Sequence, residues 1–402
     1  MSAPAFNEPD FQHDLYANYR RLRESDPVHY NEFGGVGRYA LFRYEDVATA
    51  FRDPRLAVMG LRRPIYERLV ASGNPELEAL GRMAWNFILL KDPPDHGRLR
   101  GMVQNAFTPR VIEGLRERVT RRVHAALDGV AERGGLDLVA DLAVPVPLFT
   151  IAELLGVPTD EHRRLKAWSG EMAPILDRTL IGDRLGQAAR AMAEARAYFR
   201  ALVEQRRADP GDDLLSLLIA VRDEGSMLSE DELLANCLLV LSAGHETVTN
   251  LIGNGALALL QHPEQQARLR ADPGCIRSAV EELLRYEPPV QRVPRTASET
   301  LELGGQTIAA NTPVDLVVAS ANRDPERFSD PDRFDVLRED NRHLSFGAGI
   351  HFCIGGSLAR LEAQVTLGAF FERFPAAKLA TGTPAWHPGS TFRGLRALPL
   401  VV

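Results

Sequence analysis

A cysteine in a glycine-rich stretch near the end of the chain is the residue best suited to unusual chemistry. Cys353 lies within residues 346–356, and apolar residues follow at Ile354, Leu358 and Leu361. This spacing predicts a buried helix that begins at or just after the cysteine. Unpaired N–H groups and the positive end of the dipole at a helix N-terminus favour a thiolate, which is a strong soft ligand for iron. The alternative is a free buried cysteine.

A second candidate is an acid beside a hydroxyl inside a long apolar helix. Ser229 and, three residues later, Glu232 form a capping-box pattern, and the apolar residues that follow predict a helix to about Leu260. Glu246 and Thr247 lie within its apolar part. A buried acid is costly unless it has a function or good partners. Either this pair is functional, or Glu246 pairs with a basic residue and Thr247 bonds back to a carbonyl group.

Two further pairs have spacings that place both members on one face of a helix. His96 and Arg100 are four residues apart and follow two prolines, and Glu282 and Arg285 are three residues apart. Considered alone, the pair formed by His96 and Arg100 indicates a solvated basic face. On an exposed helix, the pair formed by Glu282 and Arg285 would stabilise the helix by only a few tenths of a kcal/mol. Neither pair identifies a function without its context.

Together and in this order, the motifs resemble those of the cytochrome P-450 superfamily. Residues 346–355 are similar to its haem-binding loop, with His351 where many members carry Arg, and residues 243–247 match its acid-alcohol pair. The resemblance covers essentially the whole chain. It implies that Cys353 is the thiolate ligand of the iron in non-covalent haem b. Thiolate ligation favours O–O bond cleavage over reversible oxygen carriage.

The resemblance also implies roles for the other site residues. Glu246 and Thr247 would be catalytic and deliver protons during O–O cleavage, whereas His245 would not bind iron. Arg100, in particular, would bind a haem propionate, and Phe346 would shield the sulfur of the cysteine. The residues expected at the cofactor are His96, Arg100, Ala243, Gly244, Arg295, His343, Phe346, Gly347, His351, Cys353 and Gly355.

The pair formed by Glu282 and Arg285 would have a structural role. It corresponds to the Glu-x-x-Arg signature of the superfamily, which locks the segment that carries the haem loop. We expect Arg333 to be the third member of this network, and Arg338 is the less favoured choice.

The fold implied by the resemblance is a single, mainly α domain over residues 1–402, with a smaller β-rich part. We expect residues 90–286 and 353–372 to be mainly helical. The β-rich part is expected mainly in residues 26–55, 290–320 and 375–402. Residues 55–90 would form a pocket wall of short helices, and residues 165–190, with Leu180 and Ile181, the mobile access region.

Composition narrows the class of protein. The 402 residues are 45% hydrophobic and carry a net charge of −7, which gives no global case for binding nucleic acid or anionic membranes. The three cysteines are too scattered for zinc or iron–sulfur sites. The first residues contain no basic segment followed by an apolar run. We therefore expect a cytoplasmic monomer without a membrane anchor.

The implied activity is a monooxygenase that inserts one oxygen atom from O2 into a hydrophobic small molecule, by hydroxylation or epoxidation. Two electrons would come from a ferredoxin and an NAD(P)H-dependent reductase. Arg98, Arg110, Arg342 and Arg360 would form a basic dock for the ferredoxin, unless they are scattered surface charges. The expected substrate contacts are Phe87, Ile88, Leu239, Ala243, Val290, Val293 and Phe392. Their apolar character indicates a medium or large hydrophobic molecule, and the resemblance implies a polyketide or terpenoid of secondary metabolism.

Three alternatives remain open. A peroxide-driven relative would be expected to lack the acid-alcohol pair, so Glu246 and Thr247 oppose it. A non-catalytic haem sensor would need no proton relay. The third alternative, oxidative coupling or ring formation in the same fold, cannot be separated from oxygen insertion by sequence.

Overall fold

Helices make up most of the chain in the computed structural model, which describes residues 9–33, 36–133, 135–177, 183–223, 228–380, 382, 384–389 and 391–402. Leu180 and Ile181, expected in the access region, lie outside the described residues. The helices are α1 (Pro9–His13), α2 (Leu15–Ser25), α3 (Tyr44–Ala50), α4 (Arg63–Val70), α5 (Pro75–Trp85), α6 (Asp95–Val103), α7 (Pro109–Arg133), α8 (Pro145–Leu154), α9 (His162–Asp177), α10 (Asp183–Ala208), α11 (Leu214–Asp223), α12 (Glu230–Gln261), α13 (Pro263–Ala271), α14 (Ile276–Tyr286), α15 (Val318–Ala321) and α16 (Gly356–Arg373).

The strands form a smaller β-rich part. They are β1 (Val28–Phe33), β2 (Val36–Leu41), β3 (Leu56–Ala57), β4 (Gly135–Asp137), β5 (Val293–Ala297), β6 (Leu301–Leu303), β7 (Gln306–Ile308), β8 (Pro313–Leu316), β9 (Lys378–Leu379) and β10 (Pro399–Val401). The largest sheet has the order β1-β2-β8-β5-β3, in which only the β2–β8 pair is parallel. Strand β10 pairs with β4 and β9, and β6 forms the expected hairpin with β7. Strand β4 lies inside a region predicted to be helical.

Helix α12 crosses the centre of the molecule and packs against α8, α9, α10 and α16. The predicted capping box is present: the Ser229 hydroxyl accepts a hydrogen bond from the Glu232 N–H, and the Glu232 carboxylate accepts one from the Ser229 N–H at 2.9 Å. The apolar residues that follow are buried in the main hydrophobic core. Among the described helices, none has the combined length and apolarity needed to cross a membrane.

A buried ion-pair network fixes the chain ahead of the glycine-rich loop. Arg285 forms two hydrogen bonds of 2.7 Å with Glu282, and both side chains are fully buried. Arg338 completes the network, with its Nε 3.1 Å from Glu282. The Arg333 side chain is 56% exposed, and only its carbonyl oxygen accepts hydrogen bonds from the other two arginines. The expectation that Arg333 is the third side chain is therefore wrong, because Arg338 occupies that position.

Asn322 links this network to the loop. Its carbonyl oxygen accepts a hydrogen bond from the Arg285 guanidinium, and its side chain holds the backbone N–H of Leu344 and the hydroxyl of Ser345, both at 2.8 Å. The Ser345 hydroxyl in turn donates to the Leu284 carbonyl group in α14. The segment just before residue 346 is thus connected to the buried ion pair through Asn322.

Replacing Arg338 by alanine tests the network. The Glu282 carboxylate would stay buried after losing one cationic partner, so we expect the free energy of unfolding to fall by about 3 kcal/mol. The matched control, Arg333→Ala, removes a mostly exposed side chain and should cost less than about 0.5 kcal/mol. Urea unfolding of both variants measures the difference, and equal losses would contradict the assignment of Arg338.

Candidate active site

One cavity collects residues that lie far apart in the sequence. Its wall includes parts of α6, α12, β5 and the glycine-rich loop, and it extends to the first turns of α16. The predicted catalytic and cofactor residues that line it are His96, Arg100, Ala243, Gly244, Glu246, Thr247, Arg295, Phe346, Gly347, His351, Cys353 and Gly355. The motifs therefore converge on one site.

The glycine-rich loop presents Cys353 to this cavity. Gly347 and Gly349 both have φ of 70°, in the left-handed region, and a Cβ on Gly349 would lie 2.7 Å from the Phe51 carbonyl oxygen. The Cys353 N–H then donates to the Phe346 carbonyl at 2.9 Å, which closes the loop. Helix α16 begins three residues later, close to the predicted start. The cysteine side chain is deep in the protein, yet it is exposed because the cavity opens beside it.

The helix start does not by itself produce a thiolate here. Burial raises the pKa of the Cys353 thiol, although backbone N–H groups of Gly355 and Gly356 and the charges of Arg100 and Arg360 act in the opposite direction. As expected, the N–H groups at the helix terminus lower the pKa of the thiol. Burial has the larger effect, however, so the pKa is raised overall. A cation at the sulfur, such as a metal ion, would favour deprotonation at this position.

The side of the cavity near α6 carries cationic and neutral donors. Arg100 donates to the Phe352 carbonyl oxygen at 2.7 Å, and the rings of His96 and His351 are in contact, with centroids 4.1 Å apart and planes tilted by 49°. Burial, together with the neighbouring His96, Arg295 and Arg100, lowers the pKa of His351 to about 3. Its buried Nε2 has no hydrogen-bond partner among the described residues. This is an environment for a carboxylate ligand.

His343 does not belong to that group. Its Nε2 lies 3.1 Å from the Glu281 carboxylate, and its Nδ1 accepts a hydrogen bond from the Ser345 N–H. Because both ring nitrogens are engaged, and because the residue does not line the cavity, the expected propionate contact of His343 is not supported. Glu281 also pairs with Arg360, whose guanidinium covers the ring of Phe346 at 4.4 Å.

Helix α12 contributes the acid and the alcohol. Gly244 allows α8 to pack closely, since a Cβ there would lie 2.6 Å from the Ile151 side chain. The Thr247 hydroxyl donates to the Ala243 carbonyl oxygen at 2.8 Å, as the structural alternative predicted. Thr247 and the half-buried Glu246 nevertheless both line the cavity.

His245 points away from the cavity. Its Nδ1 lies 3.2 Å from the Ser169 hydroxyl of α9, and burial lowers its pKa to about 4. It does not line the cavity. This agrees with the expectation that His245 is not a metal ligand.

Comparison with known proteins decides the family. A family model described as Cytochrome P450 matches residues 84–272 and 275–385. Cytochrome P450 107B1 of Saccharopolyspora erythraea is 40% identical over 400 residues, which cover 97% of this chain and 95% of that protein. The chain belongs to the cytochrome P450 family. The cytochrome P450 monooxygenase PikC of Streptomyces venezuelae is 41% identical, with 97% of this chain and 92% of PikC covered.

Solved structures show the same fold. P450BioI, in complex with an acyl carrier protein ligated to hexadec-9Z-enoic acid, superimposes with a TM-score of 0.90 at 37% identity, covering 98% of this chain and 99% of that one. The predicted mainly α cytochrome P450 fold is confirmed. This P450 is thus a haem-thiolate enzyme of the monooxygenase class.

The residues present fit a haem. Cys353 offers a sulfur ligand to the cavity, and the described part of the chain provides no carboxylate partner for the guanidinium groups of Arg100 and Arg295. Among the described residues, the Arg295 guanidinium donates one hydrogen bond, to the Pro294 carbonyl oxygen at 2.9 Å, and it lies over the Phe51 ring. Carboxylates of a propionate-bearing cofactor would satisfy these cations and the orphaned Nε2 of His351.

The remaining cavity wall of this P450 is largely apolar. Six of the seven expected substrate contacts line it: Ile88, Leu239, Ala243, Val290, Val293 and Phe392. Phe87 does not, because it packs into the main core and is 2% exposed. A β-bridge between Val290 and Phe392 holds the C-terminal segment against the cavity.

Three ionisable residues of the cavity were not expected from the sequence: Arg292, which pairs with Asp315 at 3.5 Å, and the residues Glu362 and Arg62. Glu362 of α16 is fully buried, both of its carboxyl oxygens lack a hydrogen-bond partner among the described residues, and burial raises its pKa to about 8. Arg62 lies in a short 3-10 turn before α4 and also lines the cavity. Neither Glu362 nor Arg62 belongs to a local motif, so only the fold shows that each lies at the site.

Proposed function

We propose that this P450 inserts one oxygen atom from O2 into a hydrophobic small molecule, by hydroxylation or epoxidation, with non-covalent haem b bound through Cys353. The observation that carries the proposal is the convergence of Cys353, Glu246 and Thr247 on one cavity with an otherwise largely apolar wall. Haem, when bound, supplies the iron at which O2 is activated. The protein supplies the sulfur ligand, the proton-handling groups and a pocket that excludes bulk water.

Thr247 is oriented as a hydrogen-bond acceptor toward the cavity. Its hydroxyl hydrogen is directed at the Ala243 carbonyl oxygen 2.8 Å away, so the hydroxyl oxygen has lone pairs left for a donor in the cavity. Glu246, the preceding residue on α12, lines the same cavity, and in this proposal its carboxyl group takes up and passes on protons. The threonine thus positions a protonated group while the glutamate resupplies protons.

Electrons come from a separate ferredoxin and an NAD(P)H-dependent reductase in this proposal. The suggested dock needs revision, because Arg98 pairs with Glu232 and Arg360 pairs with Glu281 at 2.6 Å. Arg342 and Arg110 are the better candidates, because Arg110 is exposed and the Arg342 side chain is 85% exposed, with only a long contact of 3.8 Å to the exposed Asp340. The chain is expected to act as a cytoplasmic monomer.

The substrate is proposed to be a medium or large hydrophobic molecule of secondary metabolism, such as a polyketide or terpenoid. The apolar contacts from Ile88, Val290 and Phe392 support this class. P450BioI was crystallised with an acyl chain on a carrier protein. The test of this proposal therefore includes a substrate linked to a carrier protein as well as free substrates.

Optical titration of the ferric protein tests the proposal. The panel contains macrolides, terpenoids, steroids, free organic acids and acyl chains on a carrier protein. A fitting ligand should shift the haem from low to high spin, because it displaces water from the iron. Turnover with a surrogate ferredoxin and reductase should then give a product one oxygen atom heavier. Purified protein that binds no haem, or haem protein that turns over none of its ligands, would contradict the proposal.

Replacing Thr247 by alanine tests the proton-handling step. The variant lacks the hydroxyl oxygen that positions a donor, so we expect coupling of NAD(P)H oxidation to product to fall by about tenfold or more, with hydrogen peroxide as the alternative product. Thr247→Ser keeps the hydroxyl and is the matched control. Peroxide and product are measured per NAD(P)H with a substrate from the titration. Tight coupling in the alanine variant would remove the role given to Thr247.

A further inference from the structure

Arg62 is a buried cation for which the protein supplies no anion. It is enclosed by surrounding protein, and burial lowers the pKa of its guanidinium. Part of the side chain remains accessible because the residue lines the cavity. Within the described residues, its guanidinium makes no hydrogen bond and no ion pair. A charge held in this way is costly unless a ligand compensates it.

The acids near Arg62 are already engaged. Asp315 raises the pKa of Arg62 through space, but its carboxylate lies 3.1 Å from Arg38 and 3.5 Å from Arg292. Asp92, which acts through space on Arg295, accepts hydrogen bonds from the backbone N–H groups of residues 58 and 59. Arg62 therefore does not draw its counter-ion from these two carboxylates.

The turn that carries Arg62 is fixed beside Arg295. It packs so closely on β5 that a Cβ on Gly60 would lie 2.2 Å from the Thr296 hydroxyl. Burial lowers the pKa of Arg295 to about 10, and the charge of Arg62 adds to this decrease. Two guanidinium groups thus repel each other at one side of the cavity. The arrangement favours binding of anions between or beside them.

The number of guanidinium groups in the cavity indicates whether the haem propionates alone could pair with all of them. Arg62, Arg100 and Arg295 line the cavity without a carboxylate partner among the described residues. A haem brings two propionates, so one of these three cations is left over. Protonation of His96 or His351 would only increase this surplus. Two acids also line the cavity. Burial disfavours the charged form of Glu362 and raises its pKa to about 8, and Glu246 is carried by α12, whereas Arg62 lies in the turn that packs on β5.

We propose that Arg62 binds the carboxylate of a hydrophobic organic acid, which extends into the apolar part of the same cavity. Arg100 and Arg295 would meet the propionates, as the superfamily resemblance implies, and Arg62 lies on the segment expected to form the pocket wall. The inference rests on the proposed function and narrows its substrate class. A haem propionate is the other source of the same chemistry, and the experiment below distinguishes the two.

The test is calorimetric titration of the ferric holoenzyme with dodecanoic acid and with its neutral isostere, dodecanamide. We expect the acid to bind at least about tenfold more tightly, because a guanidinium–carboxylate contact is charge-assisted and often bidentate. Arg62→Gln should abolish the preference, and Arg62→Lys should keep part of it. Arg63→Gln is the matched control, since the exposed Arg63 lies over the Trp85 ring instead of lining the cavity. It should retain the full preference.

Haem content and the ferric spectrum of Arg62→Gln, measured in parallel, identify the anion. Lost acid preference with normal haem content supports the substrate assignment. Lost haem with an unchanged preference in the remaining holoenzyme would assign Arg62 to a propionate and overturn it. Equal binding of acid and amide by the parent holoenzyme would also overturn it. Failure of the proposed function is distinct, because it appears as absent haem or absent turnover of every ligand in the panel.

Discussion

The site depends on holding one sulfur atom at the edge of a cavity deep inside the protein. Burial raises the pKa of Cys353, so the helix terminus alone does not make it a ligand, and its position must be imposed by the surrounding chain. The left-handed glycines 347 and 349 turn the loop, while the buried Glu282–Arg285–Arg338 network holds the segment before it. The protein thus fixes the position of the sulfur, and a metal ion bound to the sulfur would favour loss of the thiol proton.

Polar groups with different expected roles lie on different walls of the cavity. Cations and neutral imidazoles lie on the side of α6 and β5, where they can bind carboxylates, whereas the acid and the alcohol lie on α12. Apolar residues such as Val290 and Phe392 form much of the rest of the wall and exclude water, which strengthens electrostatic interactions inside. Arg62 lies on the cationic side as well, in the turn that packs on β5, and its guanidinium is the one that we propose binds the carboxylate of an organic acid.

Local motifs predicted the centre of the site, because a glycine loop with one cysteine, an acid-alcohol pair in an apolar helix and a capping box each have a short-range physical cause. Long-range choices were less reliable. Arg338, and not Arg333, is the third member of the ion-pair network. Both residues lie in an irregular segment, where spacing along the sequence does not determine the direction of a side chain. For the same reason, the sequence did not show that His343 contacts Glu281 or that Phe87 packs into the main core. Arg62 and Glu362 have no local pattern, and only the packed fold shows that they line the cavity.

The absorption spectrum of the reduced, carbon monoxide-bound protein tests the central claim that Cys353 is the iron ligand. The parent protein and Cys275→Ala, whose cysteine lies outside the cavity, should both show the red-shifted Soret band typical of thiolate-ligated haem. Cys353→Ser should lose that band, either by binding haem through a weaker ligand or by losing haem. A Cys353→Ser variant that keeps the thiolate spectrum would contradict the account.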